Sequence, residues 1–339
     1  MTVEAEAPGV PQQPVVLARR RSAGEVALRV APIGIPYLIL IVLVAIYGSL
    51  QEGVFSREEL NIQTAATLTL LLVAAGQTIV ILLGGIDLSV GGILSFSTAL
   101  AATRFGEGGS TMAVWIALLV LIGLGAGAVN GFLIAHLRLQ PFIVTLATWS
   151  IWSGAAFWVL PTEGGIVPES YVGAVNNAWV GLSVSTWLVI VLIGLWVWFR
   201  RTRLGVSIRA VGSSETAAYL SGVPTARVTI AAYALSGLFA ALAALFLITQ
   251  TASGSPTVGN DFILNSVAAV VIGGTSLFGG RGGLGGTVAG AFILTLIASV
   301  IFVLSISSFY APIVTGGLLI LAVLANSITD LVARRRAYR

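Results

Sequence analysis

Long apolar runs separated by short polar or glycine-rich breaks dominate the chain from residue 31 to residue 329. A helix needs about 20 apolar residues to cross the roughly 30 Å hydrocarbon core of a bilayer. Runs of about that length predict ten spans, at approximately 31–50, 61–83, 88–104, 112–135, 141–160, 184–200, 227–249, 262–279, 284–304 and 310–329. Length forces one of these divisions. The stretch 61–103 would be about 65 Å long as one helix at about 1.5 Å per residue, so it must cross twice. Its turn falls in ILLGGIDLSVGG, residues 81–92. There Gly84-Gly85 and Gly91-Gly92 bracket Asp87, the only charged residue of the stretch. Span 262–279 is the most interrupted, by Asn265, Ser266, Gly273 and Gly274.

Composition agrees with this layout. Hydrophobic residues make up 57% of the 339 and charged ones only 9%, against about 25% charged in soluble domains. The chain is predicted to be an all-α polytopic membrane protein with broken, glycine-rich segments. It has no cysteine and one histidine, His136, so cysteine metal sites, thiol catalysis and disulfides are excluded and a histidine-built metal site is disfavoured. All 17 basic residues are arginine. A phosphate-binding P-loop requires a lysine, so ATP binding by that motif would fall to another subunit, and Schiff-base chemistry is excluded too. No nucleophile–base pair, no paired carboxylates and no sign of a nucleic-acid interface emerge, and the chain is not read as an enzyme.

The arginines orient the spans. With the N-terminus in the cytoplasm, 15 of them lie on the inner side and only Arg57 and Arg104 on the outer. That bias follows the positive-inside rule and requires an even number of spans, both termini being cytoplasmic. Residues 1–29, with Pro8, Pro11, Pro14 and Arg19-Arg20-Arg21, are predicted as a disordered cytoplasmic tail, 30–330 as the transmembrane domain and 331–339 as a basic tail. The run Ala31–Leu50 is of span length, longer than the roughly 7–15 apolar residues of a cleaved signal.

Two loops exceed a simple hairpin. The outer one, 161–183, could cap an outer mouth. The inner one, 200–226, hides a short helix: Ser214 suits an N-cap, Glu215 the first turn, Gly222 the C′ position and Pro224 a stop. So short a helix is marginal alone and needs packing, on its own domain or on a partner.

Glycines at four-residue spacing, Gly123-Gly127-Gly131 and Gly282-Gly286-Gly290, mark faces where helix backbones approach closely. Gly84, Gly85, Gly273, Gly274 and Gly286 join them as packing positions. VILLGGIDLS (80–89) echoes AVVIGGTSLF (269–278), pairing Gly84 with Gly273, as in transporters built from repeats. Ionisable residues inside a membrane are functional by default. Asp87 therefore has two readings: a cap that satisfies the amides freed at the break, or a group in contact with what passes through. Gln77, Ser89, Asn130, Thr145, Asn265 and Thr275 are further pathway candidates, each equally able to serve helix–helix hydrogen bonding. Trp149, Trp152 and Trp158 suit the interfacial belt.

GQTIVILLGGIDLSVGG (76–92), NGFLIAHLRLQPFIVTL (130–146), RLGVSIRAVGSSETAAYLSGV (203–223), AAVVIGGTSLFGGRGGLGGTVAGA (268–291) and SSFYAPIVTGGLLILAVL (307–324) resemble the ribose/xylose/galactose-type permeases of bacterial ATP-binding-cassette (ABC) importers. The resemblance covers about residues 31–329. It implies a ten-span permease of the bacterial plasma membrane, paired with a second copy or a paralogue. It also implies an extracytoplasmic sugar-binding protein, and a cytoplasmic ABC ATPase with two nucleotide domains that holds the ATP and magnesium, leaving no cofactor on this chain. The segment at about 203–224 would be the coupling region that docks on the ATPase, with Arg209, Gly212, Ser214, Glu215, Ala217, Ala218 and Gly222 as its residues. The implied cargo is a monosaccharide or related polyol. A branched-chain amino acid permease is the nearest competitor. A secondary transporter driven by an ion gradient, and a non-transporting scaffold, are the alternatives from other classes.

Overall fold

A computed structural model describes residues 23–106, 109–307 and 309–337, with side chains described between residues 34 and 324 apart from Ser110. Thirteen helices are described: α1 Ala23–Leu50, α2 Arg57–Leu83, α3 Ser89–Arg104, α4 Gly109–Leu137, α5 Pro141–Val159, α6 Glu169–Asn176, α7 Val184–Phe199, α8 Arg203–Ser213, α9 Glu215–Leu220, α10 Thr225–Thr251, α11 Asn260–Ile272, α12 Leu284–Val303 and α13 Tyr310–Ala337. A two-residue hairpin, β1 Ala178–Trp179 against β2 Leu182–Ser183, sits between α6 and α7. Among the described residues five helices, α2, α4, α5, α10 and α12, are long and apolar enough to cross a membrane. α7 and α8 would count as a sixth only as one span bent by 73°.

One predicted span is shorter than expected: α11 has 13 residues and reaches about 20 Å at about 1.5 Å per residue, while α3, with 16 residues, keeps the limits expected of it. The run expected to be helical over 262–279 stops at Ile272, because Gly274 takes a left-handed conformation (φ +80°) and the chain turns there. The predicted tail over 1–29 lies mostly outside the described residues, and α1 already begins at Ala23. Residues 331–337 continue α13.

The helices start and stop where local chemistry tells them to. Ser56 caps α2 by accepting from the Glu59 N–H, with Glu58 and Glu59 in the first turn. Pro141 opens α5 at the one position where a missing N–H costs nothing. Ser183, Thr202 and Ser214 cap α7, α8 and α9 in the same way as Ser56. α6 and the hairpin lie in the outer loop, where no element was expected. α6 is pinned from outside: the Tyr171 hydroxyl donates to the Leu245 carbonyl (2.9 Å) and Asn176 Nδ2 to that of Thr249 (3.0 Å).

α2 is the central helix, with 89% of its apolar window buried, whereas α4 and α5 bury 22% and 17% of theirs. In lipid, apolar burial does not draw helices together; close packing and hydrogen bonds do. The packing here is backbone on backbone. Gly123, Gly127 and Gly131 of α4 lie against Gly237, Tyr233 and Ile230 of α10, and any Cβ added at the three glycines would overlap that helix. Gly286 and Gly290 of α12 meet Gly273, just past α11, and Ala269 of α11 in the same manner, whereas Gly282, expected on the same face, lies before α12 against Thr275.

The breaks gather at one end of the bundle. Leu82, Gly212 and Gly280 meet there, and Arg138 of the α4–α5 turn pairs with Glu215 of α9. Seven arginines, at 138, 200, 201, 203, 209, 227 and 281, belong to the segments at this arginine-rich end. Gly164 and Gly254 pair at the opposite end, where Ile166 N–H donates to the Ala102 carbonyl.

Candidate functional site

The first break begins as α2 ends. Gly84 turns left-handed (φ +94°), its N–H bonding the Ile81 carbonyl at 2.9 Å, while the Gly85 N–H reaches back to Val80 at 3.0 Å. A side chain at position 84 would be strained by that φ whatever the space around it. Three residues later Asp87, wholly buried, folds back on the start of α3. Its Oδ1 accepts from the Ser89 N–H (3.0 Å) and from the Ser89 hydroxyl (2.6 Å). Asn130 of α4 donates to the same hydroxyl (2.8 Å). Thr145 of α5 bonds the Ile86 carbonyl weakly (3.3 Å) and that of Pro141 at 2.9 Å. The break is thus joined to α3 and α4 through one carboxylate and its serine, and to α5 through the Ile86 carbonyl.

This cluster is not saturated. Asp87 Oδ2, Asn130 Oδ1, the Tyr233 hydroxyl and the Ser236 hydroxyl are buried without hydrogen-bond partners. A buried polar group left unpaired costs about 1–3 kcal/mol, so four of them in one neighbourhood call for a reason. Tyr233 and Ser236 stand one turn apart on α10. Ser236 lies beside the carboxylate, though short of a well-formed hydrogen bond, and the Tyr233 hydroxyl is within electrostatic reach of it. That hydroxyl fills the space a Cβ on Gly85 would need. Neither residue was singled out from the sequence. The usable signal was their i, i+3 spacing within an otherwise apolar span, which puts both on one face.

The other pathway candidates scatter. Gln77 is wholly buried in α2 with both amide atoms unpartnered. It lies one turn beyond Val73, which packs with Val90, Leu94 and Ala240 of α3 and α10. Asn265 is half-exposed on α11. Thr275 belongs to the second break, where its Oγ1 accepts from the Gly283 N–H (3.1 Å). Neither joins the Asp87 cluster. Of the tryptophans, Trp149 Nε1 donates to Asn260 (3.2 Å), Trp152 packs on Phe96 and Trp158 is exposed.

The second break repeats the turn of the first. The Gly274 N–H bonds Val271 (2.9 Å) and the Thr275 N–H bonds Val270 (3.2 Å). The left-handed glycine is therefore Gly274, one position beyond the one that the sequence echo pairs with Gly84. The chain then loops through Gly283, and the two breaks meet there: Gly280 N–H donates to the Leu82 carbonyl (2.9 Å), and Gly212, at the end of α8, fits between Leu82 and Gly280 with no room for a Cβ.

α8 itself was not expected. Ile208 and Val211 are buried against Ile79 and Leu82 and lay it across the end of the bundle. α9 follows with its start and stop at the residues that predicted them: Ser214 accepts from the Ala217 N–H (3.2 Å), and Gly222 turns left-handed (φ +81°). The expected coupling residues separate into two groups. Ser214, Glu215, Ala217 and Gly222 are exposed. Ala218 is buried among Val228, Ala232 and Val211, Gly212 is held between the breaks, and Arg209 is half-buried near Trp196 and Gly283. Tyr219 and Leu220 add an apolar tip that is 69% and 79% exposed. Beside α9 a cleft of about 330 Å³ lies between the α4–α5 turn and α8, lined by Arg138, Gln140, Glu215, Thr229, Gly84, Gly85 and Tyr233.

A buried carboxylate at a helix break, close backbone packing and a capped helix at the arginine-rich end thus come together in a chain with helices of membrane-spanning length. The family described as "Branched-chain amino acid transport system / permease component" matches residues 61–323. The chain is 37% identical to the ribose import permease protein of Escherichia coli over 86% of this chain and 92% of that protein. It is 35% identical to the fructose import permease protein of Rhizobium meliloti, over 87% and 85%. For the D-allose transport system permease protein of Escherichia coli the identity is 32%, over 85% and 89%. No solved structure matches the chain. The chain belongs to this family of permease components, and within it to the sugar-type ABC import permeases.

Proposed function

We propose that this chain is the membrane-spanning subunit of an ATP-driven importer that passes a monosaccharide or related polyol into a bacterial cell. The observation that carries the reading is the 37% identity to a ribose import permease across 86% of the chain. In this reading the ten apolar segments all cross or enter the plasma membrane, with both termini in the cytoplasm, and the arginine-rich end faces inward as the positive-inside rule asks. The permease works as a pair, a binding protein delivers solute at the outer end, and ATP and magnesium belong to a partner ATPase. Exposed Ser214, Glu215, Tyr219 and Leu220 support α9 as the element that ATPase grips. Asp87 serves first as the cap of α3 and second as a group facing the solute.

The experiment is uptake into vesicles holding the permease with its co-purifying ATPase and binding protein. Sugar should enter only with ATP inside the ATPase-bearing compartment. Uptake by the permease alone on an ion gradient would replace this reading with a secondary carrier. The family description names branched-chain amino acids, so the same vesicles are offered leucine, and leucine uptake in place of sugar would move the chain to that branch. Glu215→Lys should leave the permease folded and inserted while abolishing sugar-stimulated ATP hydrolysis. Unchanged stimulation would remove α9 from the coupling role.

A further inference from the structure

Tyr233 lines the cleft at the arginine-rich end. In the same neighbourhood three oxygens are buried without partners, Asp87 Oδ2, Asn130 Oδ1 and the Ser236 hydroxyl. Among the described residues that bury an unpartnered polar atom, Tyr233 alone also lines the cleft. Its backbone is held against Gly127 of α4 and its hydroxyl against Gly85 of the break, so a ring that lines the cleft also lies within electrostatic reach of the carboxylate. We propose that Tyr233 is the plug that separates the cleft from the Asp87 pocket, and that its displacement exposes a polar station for a neutral, hydroxyl-rich solute.

The ligand class follows from the groups present. The pocket offers a carboxylate oxygen, an amide oxygen and one hydroxyl, which suit the hydroxyl donors and acceptors of a polyol. None of these groups is cationic, so the carboxylate of an amino acid would enter this dry site with no opposite charge to pair with, a costly step. Motion of the plug has a mechanical origin close by. α10 begins at Thr225, directly after α9 and the Gly222–Pro224 turn, and Tyr233 lies about two turns into it. A pull on α9 is therefore delivered to the helix that carries the ring. The proposal rests on the import reading above and adds to it the gate and the class of solute at the gate.

The absence of cysteine from the chain makes the test direct. Ser236→Cys places a single thiol in the pocket, and its modification by a small water-soluble thiosulfonate is timed in the purified permease–ATPase complex. With Tyr233 in place, modification should be slow. Tyr233→Ala should speed it by about tenfold or more, and Tyr233→Phe should leave it within about twofold, because the ring is the seal. Equal rates with Tyr233 and with Tyr233→Ala overturn the plug. Gly85→Ala provides a check that does not remove the ring: the new methyl overlaps the hydroxyl, so it should speed labelling when Tyr233 is present and not in the Tyr233→Phe background. The same effect in both backgrounds counts against the plug. In the Tyr233→Ala, Ser236→Cys variant, D-ribose should slow modification and L-leucine should not; protection by leucine, or by neither, overturns the solute class. ATP-driven uptake by the unaltered complex is measured separately. If it fails, the import reading fails. If it succeeds while labelling ignores Tyr233, only the plug is lost.

Discussion

α2 and α11 both end in a double glycine, and in both turns an N–H reaches back five residues to a helix carbonyl while the one before it reaches back three. After α2 the chain has only residues 84–88 before α3 begins; after α11 it has residues 273–283 before α12. The short break carries a buried carboxylate, and the long one carries glycines and an exposed Phe278 (68%) but no acid. Slack explains the difference. A long loop can fold on itself: Ser276 N–H finds the Arg281 carbonyl, Gly283 N–H finds Thr275, and Gly280 N–H finds Leu82. A short break has no such freedom, and the first N–H groups of the next helix then need a side-chain acceptor. Asp87 supplies it, and its second oxygen is left over. A group required for structure at one break therefore becomes available for function there and not at the other.

The largest effect should come from the joint between the breaks. Gly212→Val places a side chain on the backbone of Leu82 and Gly280 and should cost about 3 kcal/mol or more, read as loss of monodisperse protein in detergent. A normal elution profile and melting curve would show that the breaks do not depend on each other. Asp87 comes next. Asp87→Ala removes the acceptor for Ser89 and should cost about 0.5–2 kcal/mol, measured as an earlier thermal transition. Asp87→Asn keeps an acceptor oxygen, so melting should change little and uptake should fall only modestly. Complete loss of uptake in a normally assembled Asp87→Asn complex would assign the charge itself to the transport path. Thr275→Val tests the long break: it deprives one N–H of its acceptor, for about 1 kcal/mol, with uptake kept. An uptake defect as deep as that of Asp87→Ala would erase the functional asymmetry between the breaks. The smallest change is expected from Arg138→Gln, which opens an exposed ion pair worth under about 1 kcal/mol. A larger drop in melting temperature would mean that the α4–α5 turn is held to α9 by that pair.

Much of this was readable before any coordinates, and the legible parts share a cause. Membrane class, the placement of apolar segments and the turn at Gly84 follow from length and hydropathy. The limits of α9 follow from Ser214, Glu215, Gly222 and Pro224. All are properties of contiguous stretches, where the physics is that of a helix end or a bilayer thickness. α8 escaped notice because its two buried positions, Ile208 and Val211, sit in a segment crowded with arginine and glycine. α6 escaped behind Pro161, Gly164 and Gly165, which mark a loop but do not forbid a short helix after Pro168.

What coordinates alone decided concerns residues far apart in the chain. That Ala218 of the expected docking surface packs inward, that Gly212 sits between two helix breaks and that Tyr233 and Ser236 close on Asp87 all depend on which backbones meet. Hydropathy is blind to that choice, because in lipid one apolar face serves as well as another. The selection is made by close glycine contacts and by where a few polar atoms find, or fail to find, a partner. Local composition thus placed a carboxylate at a break in the membrane and gave one of its oxygens to Ser89, and only the packing of α10 against it set what surrounds the oxygen that is free.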